Sequence, residues 1–186
     1  EISACLVGSE MCIRDSITLA DEVKVVLEEP ELYEIAEPVV GWFRQNKRDL
    51  PWRKDQDPYH VWVSEIMLQQ TRVEAVKPYY ERFLKELPRV KDLAEAKEDT
   101  LLKLWEGLGY YNRVRNMQKA AQQIIVDFHG KFPNTYEEIL SLKGIGNYTA
   151  GAISAFAFGL PKPAVDGNVL RVVSRITGSR EDIMKQ

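Results

Sequence analysis

The chain has 186 residues, about one ordinary domain, and 45% of them are hydrophobic, enough to build a core. It is 28% charged with a net charge of −3, it has no apolar run of the roughly 18 residues that a membrane span needs, and it shows no secretory signal. Collagen, mucin, coiled-coil and disordered classes are excluded by composition. The charge is uneven: residues 1–37 hold two basic and ten acidic side chains, and the remainder carries a net +5, which keeps a nucleic-acid partner open without proving one.

Residues 1–16, EISACLVGSEMCIRDS, show no helical or strand period and resemble the read-through of a cloning or sequencing adaptor. Both cysteines, Cys5 and Cys12, lie there. Setting the segment aside leaves no thiol for a disulfide, a nucleophile or a metal site. Residues 17–29 are acidic and ambiguous. From Pro30 the pattern turns helical, with Leu32, Ile35, Val39, Trp42 and Phe43 on one face. Asp49-Leu50-Pro51-Trp52 reads as a loop, and Asp57-Pro58 as an N-cap and first-turn proline opening a helix through about Arg72. A further helix covers about Val76–Glu86, Asp92 and Asp99 open two short ones, and Gly107 and Gly109 end the second. Arg113–His129 is amphipathic, with Val114, Met117, Ala121, Ile124, Ile125 and Phe128 inward and Gly130 at C′. Asn134 with Glu137 reads as a capping box before Ile139. The small-residue helix Thr149–Phe158 and a last helix, Val169–Ile176, complete an all-α chain of short helices.

Three places can carry chemistry. Lys143-Gly144-Ile145-Gly146 turns sharply into a helix, leaving bare amides that suit a phosphate, although a tight helix corner uses the same residues. Glu65 shares a helix face with Val61, Trp62 and Leu68, surroundings that disfavour its ionised form and suit a proton donor; an ordinary surface glutamate has the same spacing. Asp166 precedes a helix whose amides and dipole favour the anion, which is also what a plain N-cap does. One acid biased towards the proton and one towards the anion is the pair that glycosidic cleavage requires.

Five motifs then occur in order: Leu-Pro-Trp-Arg (50–53), Ser-Glu-Ile-Met-Leu-Gln-Gln-Thr (64–71), Gly-Leu-Gly-Tyr-Tyr-x-Arg (107–113), the hairpin at 142–151 and Val-Asp-Gly-Asn-Val (165–169). Over about residues 38–180 this set resembles the adenine DNA glycosylase (MutY) family. The fold so implied is the helix-hairpin-helix glycosylase fold. A six-helix barrel would occupy 51–159, with the hairpin at 135–158, against an incomplete second helical domain from 30–50 and 160–186.

The resemblance implies removal of adenine mispaired with 8-oxoguanine in double-stranded DNA, after the base leaves the stack. Glu65 matches the general acid and Asp166 the group that stabilises, or attacks, the sugar cation. Tyr148 matches a residue that hydrogen-bonds near the aspartate, and Asn168 lies beside it. Arg48, Leu50, Trp52 and Arg53 match the adenine pocket. Gln70 and Tyr110 match wedges in the duplex. Gln69, Thr71, Arg113, Gly144, Gly146 and Thr149 match the DNA-facing surface, with a monovalent cation at the hairpin.

The family's four-cysteine [4Fe-4S] motif and its 8-oxoguanine-recognition domain follow the aspartate motif, and this chain stops at Gln186 without them. No metal ligand is expected within it. It therefore reads as a fragment, monomeric, weakly stable and of very low activity alone, with exposed apolar surface at Val169, Val172, Val173 and Ile176. The implied location is the bacterial cytoplasm, or the nucleus or mitochondria of a eukaryote, not the secreted space. An endonuclease III-type enzyme that also cuts the strand would need a lysine where Tyr148 stands. A hairpin module that only holds DNA would make no use of Glu65 and Asp166. A helical protein-interaction domain would show no salt-dependent DNA affinity.

Overall fold

A computed structural model describes residues 31–180, 182 and 183. The adaptor-like segment with both cysteines, the acidic lead-in, Pro30 and the side chain of Leu32 lie outside the described residues. Those described form nine α-helices and one 3-10 turn and no strand: α1 Glu31–Asn46, the turn Pro51–Arg53, α2 Pro58–Leu68, α3 Val73–Glu86, α4 Val90–Glu95, α5 Glu98–Trp105, α6 Asn112–Asp127, α7 Tyr136–Leu140, α8 Asn147–Phe158 and α9 Gly167–Ile176.

The core is built around α2, a helix apolar on almost every side. Its Val61, Trp62, Val63 and Met67 are fully buried, and α3 and α8 pack along it. Trp62 meets Phe132 edge-on at 5.7 Å, and Phe83 of α3 meets Trp105 of α5 at 6.0 Å. Such pairs add roughly 0.5–1.5 kcal/mol beyond the area they bury. α4 and α6 lie against each other. Gln118 and Gln122 of α6 donate to the carbonyls of Ala96 (2.6 Å) and Ala94 (3.2 Å), satisfying α4 where its own ladder runs out. Among the described residues, neither α1 nor α9 packs broadly along another helix, and Trp42 of α1 is 64% exposed.

Several boundaries differ from the sequence reading. α2 stops at Leu68 rather than Arg72, and α3 starts at Val73 rather than Val76. The break is a left-handed Gln70 with φ of 59°. Asp92 and Asp99 do not open α4 and α5 but sit inside their first turns, Asp92 accepting from the Arg89 amide at 3.0 Å. The cap before Ile139 lies one residue on and is not a full capping box: Thr135 Oγ1 accepts from the Glu138 amide at 3.3 Å, while the Glu138 carboxylate accepts from that hydroxyl and not from the Thr135 amide. α6 ends one step earlier than expected: Phe128 is its C-cap, the C′ position falls on a left-handed His129 (φ 53°), and Gly130 (φ 77°) follows, its amide reaching Ile124 O at 2.9 Å. On α9 the expected apolar exposure holds for Ile176, is partial at the half-buried Val172 and Val173, and fails for Val169, which is buried. Pro163 and Ala164 lie hard against α8, and the first turn of α9 follows shortly after them.

Candidate active site

Glu65 lies on α2 with Val61 and Trp62 one turn before it, both buried, and is itself only 6% exposed. Burial pushes its carboxyl up from 4.5 to about 7. Two other groups act on it. The Tyr148 phenol, from the first turn of α8, donates a hydrogen bond that favours the carboxylate and pulls the value down. The charge of Asp166 pushes it up. Three segments far apart in sequence thus converge on one proton. Tyr148 bonds Glu65 itself, a role the motif reading had placed near the aspartate.

Asp166 is the N-cap of α9. One oxygen accepts from the amides of Asn168 (3.0 Å) and Val169 (2.9 Å), and the other from Asn168 Nδ2 at 3.0 Å. Asn168 Oδ1 in turn accepts from Arg171 at 3.0 Å. With all three donors on one side, the carboxylate is held in a single orientation. Its place relative to α8 depends on Gly151: a Cβ there would lie 2.0 Å from Pro163 O and 2.8 Å from Pro163 C. α8, which carries Tyr148, and the run leading to Asp166 therefore meet backbone to backbone. Gly151 closes the hairpin motif at 142–151, but the motif assigns it no role, because a glycine among the alanines of a helix does not reveal what packs against it.

At the hairpin, Gly144 has φ of 79°, and a Cβ would crowd the Asn116 Cβ at 2.8 Å. Gly146, at the N-cap of α8, faces open space within 4 Å and is exposed. The bare amide end expected from the sequence is therefore accessible. The pocket wall read from the first motif is more enclosed. Leu50 and Trp52 belong to the core, with Trp52 against Tyr80 at 5.4 Å. Arg53 donates to Arg48 O at 2.6 Å and lies 5.7 Å from the Phe43 ring, and its burial lowers the guanidinium to about 10. Arg48 is exposed.

Gln70 and Tyr110 project from the surface, Tyr110 at 69% exposure. Gln69 and Thr71 are half-buried. Thr149 is buried, which draws its side chain away from any surface a nucleic acid would touch. Arg113 turns its guanidinium inward onto backbone carbonyls, which the spacing of its motif does not disclose. A pocket of about 210 Å³ lies between the end of α2, the start of α6 and the hairpin turn, lined by residues that include Gln69, Arg113 and Gly144. It is separate from the Glu65–Asp166 pair.

The profile of the HhH-GPD superfamily of base excision DNA repair proteins matches residues 63–186. The chain belongs to that superfamily. It is 46% identical over 138 residues to the adenine DNA glycosylase of Buchnera aphidicola subsp. Baizongia pistaciae, covering 74% of this chain and 39% of the relative. With the Homo sapiens adenine DNA glycosylase it shares 44% over 147 residues, covering 74% and 27%. It thus spans well under half the length of these relatives. Among solved structures, a thermostable thymine-DNA glycosylase superposes with a TM-score of 0.74 at 29% identity, covering 78% of this chain and 67% of that one. An endonuclease III–DNA complex superposes at 0.73 and 22% identity, covering 86% and 75%, a likeness of fold. The all-α reading and its helix-hairpin-helix glycosylase fold are those of the HhH-GPD superfamily.

Iron–sulfur clusters are held by four thiolates. Among the described residues of this HhH-GPD chain there is no cysteine and no group of His, Cys, Asp and Glu side chains that could hold a metal ion. Cys5 and Cys12 are too few for a cluster. The residues present do not fit that cofactor.

Proposed function

We propose that this chain is the catalytic part of a DNA glycosylase that hydrolyses the N-glycosidic bond of adenine opposite 8-oxoguanine. The observation that carries the reading is the buried Glu65, its carboxyl near 7, bonded by Tyr148 and facing the charge of Asp166. A carboxylic acid with that value still holds its proton in a good fraction of molecules at neutral pH and gives it up readily. The named relatives support adenine as the leaving base.

The extruded adenine enters with N7 towards Glu65. Proton transfer to N7 lets the base depart with the bonding electron pair as neutral adenine. The sugar is left as an oxocarbenium-like cation. Asp166, oriented by its three N–H donors, meets that cation by way of a transient covalent adduct, and water then adds to give the abasic site and return a proton. Tyr148 holds the Glu65 carboxyl in one rotamer, and Arg48, Leu50, Trp52 and Arg53 border the base. Gln69, Gln70, Thr71, Tyr110 and the hairpin at Gly144–Gly146 face double-stranded DNA, with a monovalent cation at the hairpin. We place the barrel at 51–159 and the partial second domain at 30–50 and 160–186. The protein acts as a monomer wherever chromosomal or organellar DNA is kept, and any iron–sulfur cluster takes its ligands from outside the described residues.

The test is single-turnover formation of alkali-labile abasic DNA from a duplex with one adenine:8-oxoguanine pair, using excess protein. The expected result is product with the parent chain and none with Glu65→Gln. Borohydride trapping of a covalent protein–DNA adduct would instead point to the amine-dependent lyase chemistry of an endonuclease III-type enzyme. Product formation by Glu65→Gln at the parental rate would overturn the assignment of the acid.

A further inference from the structure

Two exposed residues, Gln70 and Tyr110, have φ of 59° and 49°, in the left-handed region that residues with a Cβ avoid. Nothing local explains either: no glycine or proline makes the turn after α2, and Tyr110 follows a glycine that could have taken the left-handed position alone. What they share is Arg113. Its Nη1 donates to Ile66 O at 2.8 Å and Gln69 O at 2.7 Å, and its Nη2 to Leu108 O at 3.0 Å and Gly109 O at 3.2 Å. Gln69 and Gly109 are the residues immediately before the two left-handed ones. The guanidinium lies 5.4 Å from the Trp105 ring and 5.6 Å from the Tyr110 ring, and Trp105 Nε1 adds a bond to Gly109 O at 3.1 Å.

A guanidinium has five N–H donors. Here all four on Nη1 and Nη2 are used, and Nε is buried. None is left for a phosphate. The planar fork is what lets one side chain serve carbonyls of two separate turns; a lysine ammonium has neither the reach nor the number of donors.

The geometry points to Arg113 as a positioning residue that clamps the turn at 69–71 and the turn at 107–110 into one rigid unit, presenting Gln70 and Tyr110 at a set spacing before DNA arrives. The identity of the partner rests on the glycosylase reading; the clamp does not. Arg113 acts on how the duplex is opened, with no direct share in DNA charge neutralisation or bond cleavage.

The test has one arm without DNA and one with it. Without DNA, the amides of Thr71 and of residue 113, which bond to Leu68 O and Tyr110 O, report the two turns. In Arg113→Lys both should exchange about tenfold faster together, with the amides of α8 unchanged. Should that variant not fold, Gly109→Ala replaces it. Gly109 has φ of 69° and open space around a Cβ, so the change strains only its own turn, and the clamp predicts faster exchange at Thr71, far away in sequence. Exchange altered at one turn alone, or at neither, overturns the proposal.

With DNA, 2-aminopurine at the target position opposite 8-oxoguanine reports unstacking. Arg113→Lys should keep the parental slope of log affinity against log salt and lose about tenfold of the 2-aminopurine signal at saturating protein. A slope reduced by about one, with the saturating signal intact, would make Arg113 a phosphate contact and overturn the proposal. If the parent chain itself gives no signal, the DNA reading fails, and the exchange arm still decides the clamp.

Discussion

Replacing Glu65 with glutamine should strengthen the fold and remove the chemistry. The side chain is buried, and its carboxyl is pushed from 4.5 to about 7, chiefly by desolvation. Between those values the folded chain keeps a proton that the unfolded chain has released. Stability contributed by this group is therefore full below pH 4.5, falls as pH rises through that window, and is lost above about 7. The rise in pKa corresponds to about 3 kcal/mol. Glutamine has nearly the same shape, can accept the Tyr148 hydrogen bond, and carries no charge at any pH. Glu65→Gln should therefore match the parent at pH 4.5 and exceed it by up to about 3 kcal/mol at pH 8. Urea unfolding at the two pH values, followed by the fluorescence of the four tryptophans, measures the difference, and the abasic-site assay measures the loss of product. A stability difference that does not change with pH would refute the reasoning, because a carboxyl with the same pKa in the folded and unfolded chain produces no slope.

Tyr148→Phe removes the hydrogen bond that lowers the Glu65 value, so the alkaline limb of the pH–rate profile should move upward, read from single-turnover rates between pH 6 and 9. Asp166→Ala should lose product and also the α9 cap, about 1 kcal/mol of stability. Asp166→Asn, which can still accept the capping amides, should lose product with most of the stability kept, as thermal unfolding of both variants would show. Gly151→Ala forces α8 away from Pro163 O and should cost about 1–3 kcal/mol, with a loss of rate at temperatures where circular dichroism still shows the chain folded.

Local rules reached a good part of this structure and stopped at identifiable places. The burial of Glu65 was legible because its apolar neighbours lie one turn away on the same helix, and the capping position of Asp166 because a carboxylate ahead of a helix commonly caps it. The break between α2 and α3 was not, since Gln69-Gln70-Thr71-Arg72 contains neither glycine nor proline. The donors that close that turn come from Arg113, and a sequence pattern records neighbours along the chain, not across it. The cap at Thr135 lies one residue beyond Asn134, which is equally good capping chemistry in the wrong register, and α4 opens ahead of Asp92, because Asp92 caps from inside the first turn. The convergence of Tyr148 and Asp166 on one proton is a property of how α2, α8 and α9 meet, and no spacing within any one of them contains it.

Where α8 touches the run before Asp166, there is no side chain to act as a cushion. Soft packing lets neighbouring helices slide by fractions of an ångström without consequence; a carbonyl seated on a bare α-carbon does not. Residues 163–164 therefore have little slack against α8, and the separation of Tyr148 from Asp166 is fixed along with that contact. The missing methyl makes Gly151 the keystone that seats the arm carrying Asp166 beside the helix carrying Tyr148.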